Sequence, residues 1–158
     1  NQFPARDDKG VLLLCRSSNP GPGEFQDLRV SLKVDPEKLY DYDDVEQTIY
    51  QMVARAVSSE HWNCNGNCAV VVGATYPGEL AEVRDIVGDM PILIPGLGTQ
   101  GGEIEPTVKA GQTKDGKGMI NNLSRAVIFA SSGQDFADAA RQVVLEVNAE
   151  TDKFRNKP

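Results

Sequence analysis

The sequence predicts an α/β domain built on a parallel sheet. Three observations carry that expectation. Short, continuously apolar runs rich in β-branched residues recur four times, a segment with helical apolar spacing follows each of them, and most of the runs end in loops dense in glycine and proline. Buried strands alternating with helices fold into a parallel sheet with right-handed crossovers. Two architectures satisfy the order: an open doubly wound sheet, or four consecutive βα units of a (βα)8 barrel. In both, ligands gather at the C-terminal ends of the strands.

The elements follow in chain order. "VLLLCRS", from Val11 to Ser17, reads as a buried strand that the Pro and Gly of "SNPGPG" terminate. Val45, Ile49, Met52, Val53 and Val57 recur at helical spacing, which predicts an amphipathic helix over residues 44–58. Asn65-Gly66 marks a tight turn before the second strand, "AVVVGAT". Pro77 is suited to the first position of a second helix with Leu80, Val83, Ile86 and Val87 on one face and Gly88 as its stop. "PILIP" is the third strand. "EPTVKAG" gives a couple of helical turns, opened by Pro106 and closed by Gly111, and "MINNLS" is the fourth strand, with "AVIFA" as a potential continuation. Phe136, Ala140, Val143, Val144 and Val147 mark a C-terminal helix, and "TDKFRNKP" reads as a frayed tail or linker. Residues 1–150 are therefore expected to form one domain and 151–158 to lie outside it.

Composition narrows the function classes. A length of 158 residues suits one ordinary domain with a single core. The 16 Lys and Arg against 23 Asp and Glu leave a net charge of −7, a poor surface for nucleic acid, although one placed Arg with a few backbone N–H groups can still hold a small phosphate. Three cysteines make no disulfide framework, and no run is long enough to span a membrane, so a cytoplasmic protein is expected. The first residues lack both a signal pattern and an initiator Met, which suggests a piece of something longer.

"GLGTQGG", residues 96–102, satisfies the G-x-G-x-x-G spacing, and Asp115 follows where a ribose-binding acid would be sought. The surroundings disagree with a dinucleotide site. Pro106 delays the helix that should enclose the third glycine, and Asp115 lies in a turn before a strand rather than at a strand's C-terminal end. In a barrel the same loop would instead form a phosphate lip with the "SRA" turn after the next strand, its glycines giving close backbone approach and Arg125 a bidentate clamp. The alternative is a glycine-rich connection beside a surface Arg. His61, Cys64 and Cys68 invite a metal, yet zinc wants a fuller ligand set and no second cluster exists, so a turn with buried thiols is the expectation. Cys15 reads as a small core residue. Glu79 and Asp85 read as exposed helix surface, and the single histidine makes a Ser/His/Asp triad improbable.

Taken together, "LLCRSSNPG", "WNCNGN", "VVVGATYPGEL", "ILIPGLGTQGG" and "NNLSRAVIFAS" resemble the second half of orotidine 5′-phosphate decarboxylases, in the longer bacterial-type branch also found in fused UMP synthases. The resemblance runs from about residue 10 to 148 and implies a (βα)8 TIM barrel of which this chain supplies strands five to eight. It implies that Ser18, with Ser17 as the alternative register, hydrogen-bonds the pyrimidine edge and that Pro95 lines the base pocket. Gln100 would reach over the nucleotide to its phosphate and pyrimidine, within a loop shaped by Gly98 and Gly101. Ser124, through its backbone N–H, and Arg125, through its guanidinium, would bind phosphate.

The resemblance implies a cofactor-independent, metal-free lyase that converts orotidine 5′-phosphate to UMP and CO2, acting as a homodimer and in some members fused to an orotate phosphoribosyltransferase. The family's Lys/Asp network, with an Asp-x-Lys-x-x-Asp motif, does not occur in these residues, so no catalytic residue is assigned to the chain. The expectation is a phosphate- and base-gripping half that needs the N-terminal half-barrel and is inactive alone. A non-catalytic phosphate-binding half-barrel that pairs with another chain is the alternative, and a dinucleotide-binding oxidoreductase domain a more distant one.

Overall fold

The computed structural model describes residues 6–31, 46–98 and 102–157. Four strands form one parallel sheet in the order β1 (Val11–Arg16), β4 (Cys68–Val72), β5 (Ile92–Pro95) and β6 (Met119–Asn122). Two short strands, β2 (Arg29–Ser31) and β3 (Glu46–Thr48), pair antiparallel beside it. The helices are α1 (Ile49–Ser58), α2 (Pro77–Val87), α3 (Ile104–Gly111), the single-turn α4 (Arg125–Ile128) and α5 (Phe136–Phe154).

This arrangement decides between the two architectures. A doubly wound sheet reverses its strand order and carries helices on both faces. Here the order in the sheet follows the order in the chain, α1 packs on α2 and α2 on α3, and the core lies on one face. Val70, Val72, Ile92 and Ile94 point into that core, against Val57, Leu80, Val83 and Val108, and all eight are fully buried. Each stabilises the fold by about 1.5–3 kcal/mol relative to an exposed side chain. Among the described residues nothing covers the opposite face. Strand alternation puts Leu12 and Leu14 there, and Ile120 with them, at 54%, 59% and 48% exposure. A sheet with neighbouring βα units in sequence, helices on one face and apolar side chains on the other has the pattern of a partial (βα)8 barrel.

Local chemistry explains most boundaries. Thr48 caps α1 by accepting from Gln51 N, and the Gln51 side chain accepts from Thr48 N, a reciprocal capping box. Pro77 opens α2, and Gly88 ends it at φ 59°. Four expectations need correction. The helix expected from residue 44 begins at Ile49, because Glu46–Thr48 is drawn into the ladder with β2; residues 44–45 lie outside the described part. α3 starts at Ile104, two residues before Pro106. "AVIFA" does not prolong β6; the chain turns at Ser124 into α4.

The tail is the fourth. α5 runs to Phe154, across the boundary placed at 150, and Thr151 is buried. Beyond it Arg155 Nε donates to Gly116 O at 3.0 Å and Asn156 N to Gln112 Oε1 at 2.7 Å, so residues 151–156 are docked rather than frayed.

Candidate functional site

Backbone hydrogen bonds lace the C-terminal ends of the strands together. Gly73 N donates to Arg16 O at 2.9 Å, Ala74 N to Pro95 O at 2.8 Å, and Gly102 N to Gly96 O at 3.1 Å. The first residues of each loop are thereby held by the neighbouring strand or by the loop's own base, which fixes them relative to one another.

The loop after β1 carries Ser17 and Ser18. Ser17 N donates to Gln26 Oε1 at 2.9 Å, and the Ser17 hydroxyl accepts from Asn19 N at 3.1 Å, a local turn that occupies that oxygen. Ser18 lies directly on Gly73: a Cβ built there would sit 2.5 Å from Ser18 Cα and 2.6 Å from Ser18 N. Thr75 Oγ1 donates to Ser18 O at 3.5 Å.

Pro95 ends β5 in register with Asn122 of β6. After it the chain loops through Gly96 and Gly98 at φ 102° and 73°, and Gly98 N donates to Gly102 O at 2.9 Å. Such angles suit glycine. A Cβ at Gly102 would lie 2.6 Å from Ala74 Cβ, so the loop's return strand is pressed against the end of β4. Gln100 and Gly101 lie outside the described residues. At the end of β6, Ser124 caps α4, its carbonyl accepting from Val127 N and Ile128 N at 3.2 and 2.9 Å. Ser124 Oγ lies 3.5 Å from Asn122 Oδ1. Arg125 is exposed, and its guanidinium has no acceptor among the described residues. Ser18, Pro95, Gly98, Ser124 and Arg125 thus stand at one end of one sheet.

The remaining polar groups fall elsewhere. Asp115 lies in the turn that precedes β6, at the far end of that strand. Hydrogen bonds from Lys117 and Thr113 hold its carboxyl down at about 2, which makes it part of a surface turn rather than a ribose ligand. Burial pushes the Cys15 thiol up to about 12, as suits a core residue whose Sγ meets Tyr50 O at 3.0 Å. Cys68 is buried, but Cys64 is exposed, a correction to the pair of buried thiols: the turn through Gly66 leaves Cys64 on the outside. Among the described residues no group of three or more His, Cys, Asp or Glu could hold a metal ion. No helix among them is long and apolar enough to cross a membrane.

No protein-family model matches the chain. Individual proteins do. It is 49% identical over 98% of its length to an orotidine 5′-phosphate decarboxylase of Cupriavidus necator and 51% identical over 98% to that of Cupriavidus metallidurans. The chain is homologous to the C-terminal half of orotidine 5′-phosphate decarboxylase. It spans about half the length of these curated relatives, 51% in each case. Among solved structures, the Leishmania donovani decarboxylase superposes with a TM-score of 0.69 at 34% identity, covering 92% of this chain and 50% of that one. The Leishmania donovani UMP synthase superposes with a TM-score of 0.68 at 37% identity, covering 90% of this chain and 28% of that one. The sheet of sequential βα units therefore resembles part of the barrel of the solved decarboxylases.

Four residues at this end were not singled out from the sequence: Arg16, Gly73, Asn122 and Glu79. The signal for Gly73 was present, a glycine closing the apolar run "AVVVG", where a strand glycine marks close backbone approach. Asn122 shares its face with Pro95 through register, which no local pattern encodes. Glu79, read as helix surface, turns instead to Arg16, with Oε1 3.6 Å from Nη2.

Proposed function

We propose that this chain is the nucleotide-gripping half of an orotidine 5′-phosphate decarboxylase, a cofactor-independent carboxy-lyase of pyrimidine biosynthesis. The supporting observation is the convergence of Ser18, Pro95 and the Ser124–Arg125 turn at one sheet end of a chain homologous to decarboxylases over nearly its whole length. Orotidine 5′-phosphate offers a phosphate and a pyrimidine as handles. Arg125 and the Ser124 N–H take the phosphate, with Gln100, from the loop that Gly98 and Gly101 belong to, reaching over the nucleotide to its phosphate and pyrimidine. Ser18 takes the pyrimidine edge and Pro95 the ring.

The reaction breaks the bond from C6 to the carboxylate, leaves the electron pair on C6 and places a proton there, giving UMP and CO2. The Lys/Asp network that would supply that proton lies outside these residues, in the N-terminal half-barrel. Binding energy from the remote phosphate organises the reacting end, which is why a grip and a proton donor can sit on different halves. The same reading makes the complete protein a cytoplasmic homodimer. Likeness to the Leishmania UMP synthase supports an orotate phosphoribosyltransferase as a fused neighbour, which an intact mass of the native protein tests.

The deciding experiment is Arg125→Ala in a complete barrel. UMP affinity should fall by about 1.5–3 kcal/mol, roughly 10- to 150-fold, with uridine almost unaffected. Equal loss for both ligands would remove Arg125 from the phosphate.

A further inference from the structure

Arg16 is a buried charge that the proposed grip does not use. It ends β1, one residue ahead of the loop that bears Ser18, and is 2% exposed. The β1–β4 register shifts between Leu14 and Arg16, and both Cys15 and Arg16 reach toward α1 on the helix-covered side. Arg16 Nη2 lies 3.0 Å from Asp27 Oδ2 and 3.6 Å from Glu79 Oε1. Its guanidinium carbon is 4.4 Å from the centre of the Tyr76 ring and 5.7 Å from that of Tyr50. Nε and Nη1 are buried with no acceptor among the described residues.

A guanidinium so enclosed is costly to desolvate, and a strand end that needed only to fill the core would be served by an apolar residue. Its partners suggest what the charge does. Asp27 belongs to the loop after β1, and Tyr76 and Glu79 to the start of α2. Gln26, next to Asp27, accepts from Ser17 N through its side chain and from Tyr50 N through its carbonyl at 3.1 Å. Arg16 O in turn accepts from Gly73 N, beneath Ser18. The arginine therefore joins the far side of the loop, the start of α2 and the strand end below the serine. Planar stacking on Tyr76 combined with ion pairing at its edge is a geometry that lysine cannot reproduce.

We propose that Arg16 is a positioning residue for the pyrimidine end of the substrate: its guanidinium clamps residues 22–28 against the start of α2, so that Gln26 fixes Ser17 and Ser18 is held over Gly73. The proposal rests on the assignment of Ser18 to the base.

Two measurements separate the clamp from that assignment. In the full chain, amide exchange of residues 17–28 is read against that of β4 and β5 for Arg16→Met, Arg16→Lys and Asp27→Asn. Arg16→Met should accelerate exchange in 17–28 by at least about tenfold with the strands still protected, and Arg16→Lys should fall between it and the parent. Unchanged exchange in 17–28, or equal acceleration across the sheet, overturns the clamp. If Arg16→Met does not fold, Asp27→Asn decides: a locally loosened loop supports the clamp, and an unchanged one overturns it. In a complete barrel, Arg16→Met should weaken UMP by at least about tenfold and leave ribose 5-phosphate within about twofold, because the phosphate grip on the β6 turn is untouched. Parallel losses for the two ligands overturn the pyrimidine role. A parent barrel that binds neither ligand sinks the functional reading and the pyrimidine role together, while the exchange data still decide the clamp.

Discussion

Replacing Gly73 by alanine adds one methyl group where the residue after β4 lies against the loop after β1. The new Cβ would stand 2.5 Å from Ser18 Cα and 2.6 Å from Ser18 N and Cβ, where 3.4 Å is ordinary contact, so about 0.9 Å of room is missing. The obstructing atoms are mainly backbone, with no flexible side-chain tip to move away. Either residues 17–19 lift by about an ångström, or the end of β4 retreats and strains the Gly73 N bond to Arg16 O. Overpacking of this kind costs about 1–3 kcal/mol. At roughly 2–4 °C per kcal/mol for a chain of this size, the melting temperature should fall by about 2–12 °C. The functional effect should exceed the stability effect, since an ångström of misplacement in a binding group can cost on the order of a hundredfold in kcat/KM. Thermal unfolding of the chain and steady-state kinetics of a complete barrel make the test. An alanine variant with unchanged melting temperature and kcat/KM would refute the close contact and the placement of Ser18 that depends on it.

Three further outcomes follow from the packing. Arg84 donates from Nε to Gly111 O, from Nη1 to Gly88 O and Met90 O, and from Nη2 to Gly118 O, all at 2.6–2.8 Å, so Arg84→Met removes all four bonds and leaves the buried Gly111 carbonyl without this donor; a loss of about 1–3 kcal/mol is expected in urea unfolding, with a functional site at the other end of the sheet unmoved. Thiol titration of the native chain should modify Cys64 first, and Cys15 and Cys68 only with unfolding, since both buried thiols have raised pKa values and the thiolate is the reactive form. The uncovered face through Leu12, Leu14 and Ile120 should drive self-association of the isolated chain in sedimentation, and Leu14→Lys should reduce it; a well-behaved monomer at high concentration would contradict an open barrel interior.

The parts of this fold legible in the sequence were those with a local cause. Val70, Val72, Ile92 and Ile94 announce buried strands by composition, and Pro77 with Gly88 brackets α2 by backbone geometry. What stayed hidden depends on partners distant in the chain. Glu46–Thr48 carries helical signals as part of "DDVEQTIY" and becomes a strand because Arg29–Ser31 lies alongside. The tail looked disposable since its residues are polar, yet Gln112 and Gly116 receive it. At the candidate site, Pro95, Ser124 and Arg125 were reached through their positions at strand ends and a family resemblance. Arg16 was passed over within an apolar run, where a charge is hardest to interpret without knowing that Asp27, Glu79 and Tyr76 surround it.

The half-barrel separates two requirements that a complete barrel meets together. The bonds that align the strand ends, from Gly73 N, Ala74 N and Gly102 N, have both partners inside this chain, so the described framework of the proposed grip is set by local connections. Covering of the face opposite the helices is different: Leu12 and Leu14 on β1 and Ile120 on β6 are exposed there, and among the described residues no layer covers them and no further strand pairs with β1 or β6. Taken without further strands, such a sheet should therefore lose stability more than its loops at the C-terminal ends deform. Supplying the missing strands should raise nucleotide affinity chiefly by restraining loops that already point the right way, and it should leave the relative positions of Ser18, Pro95 and Ser124 nearly unchanged. A complete barrel in which those three residues moved apart by several ångströms would show instead that the other half shapes the grip as well as covering it.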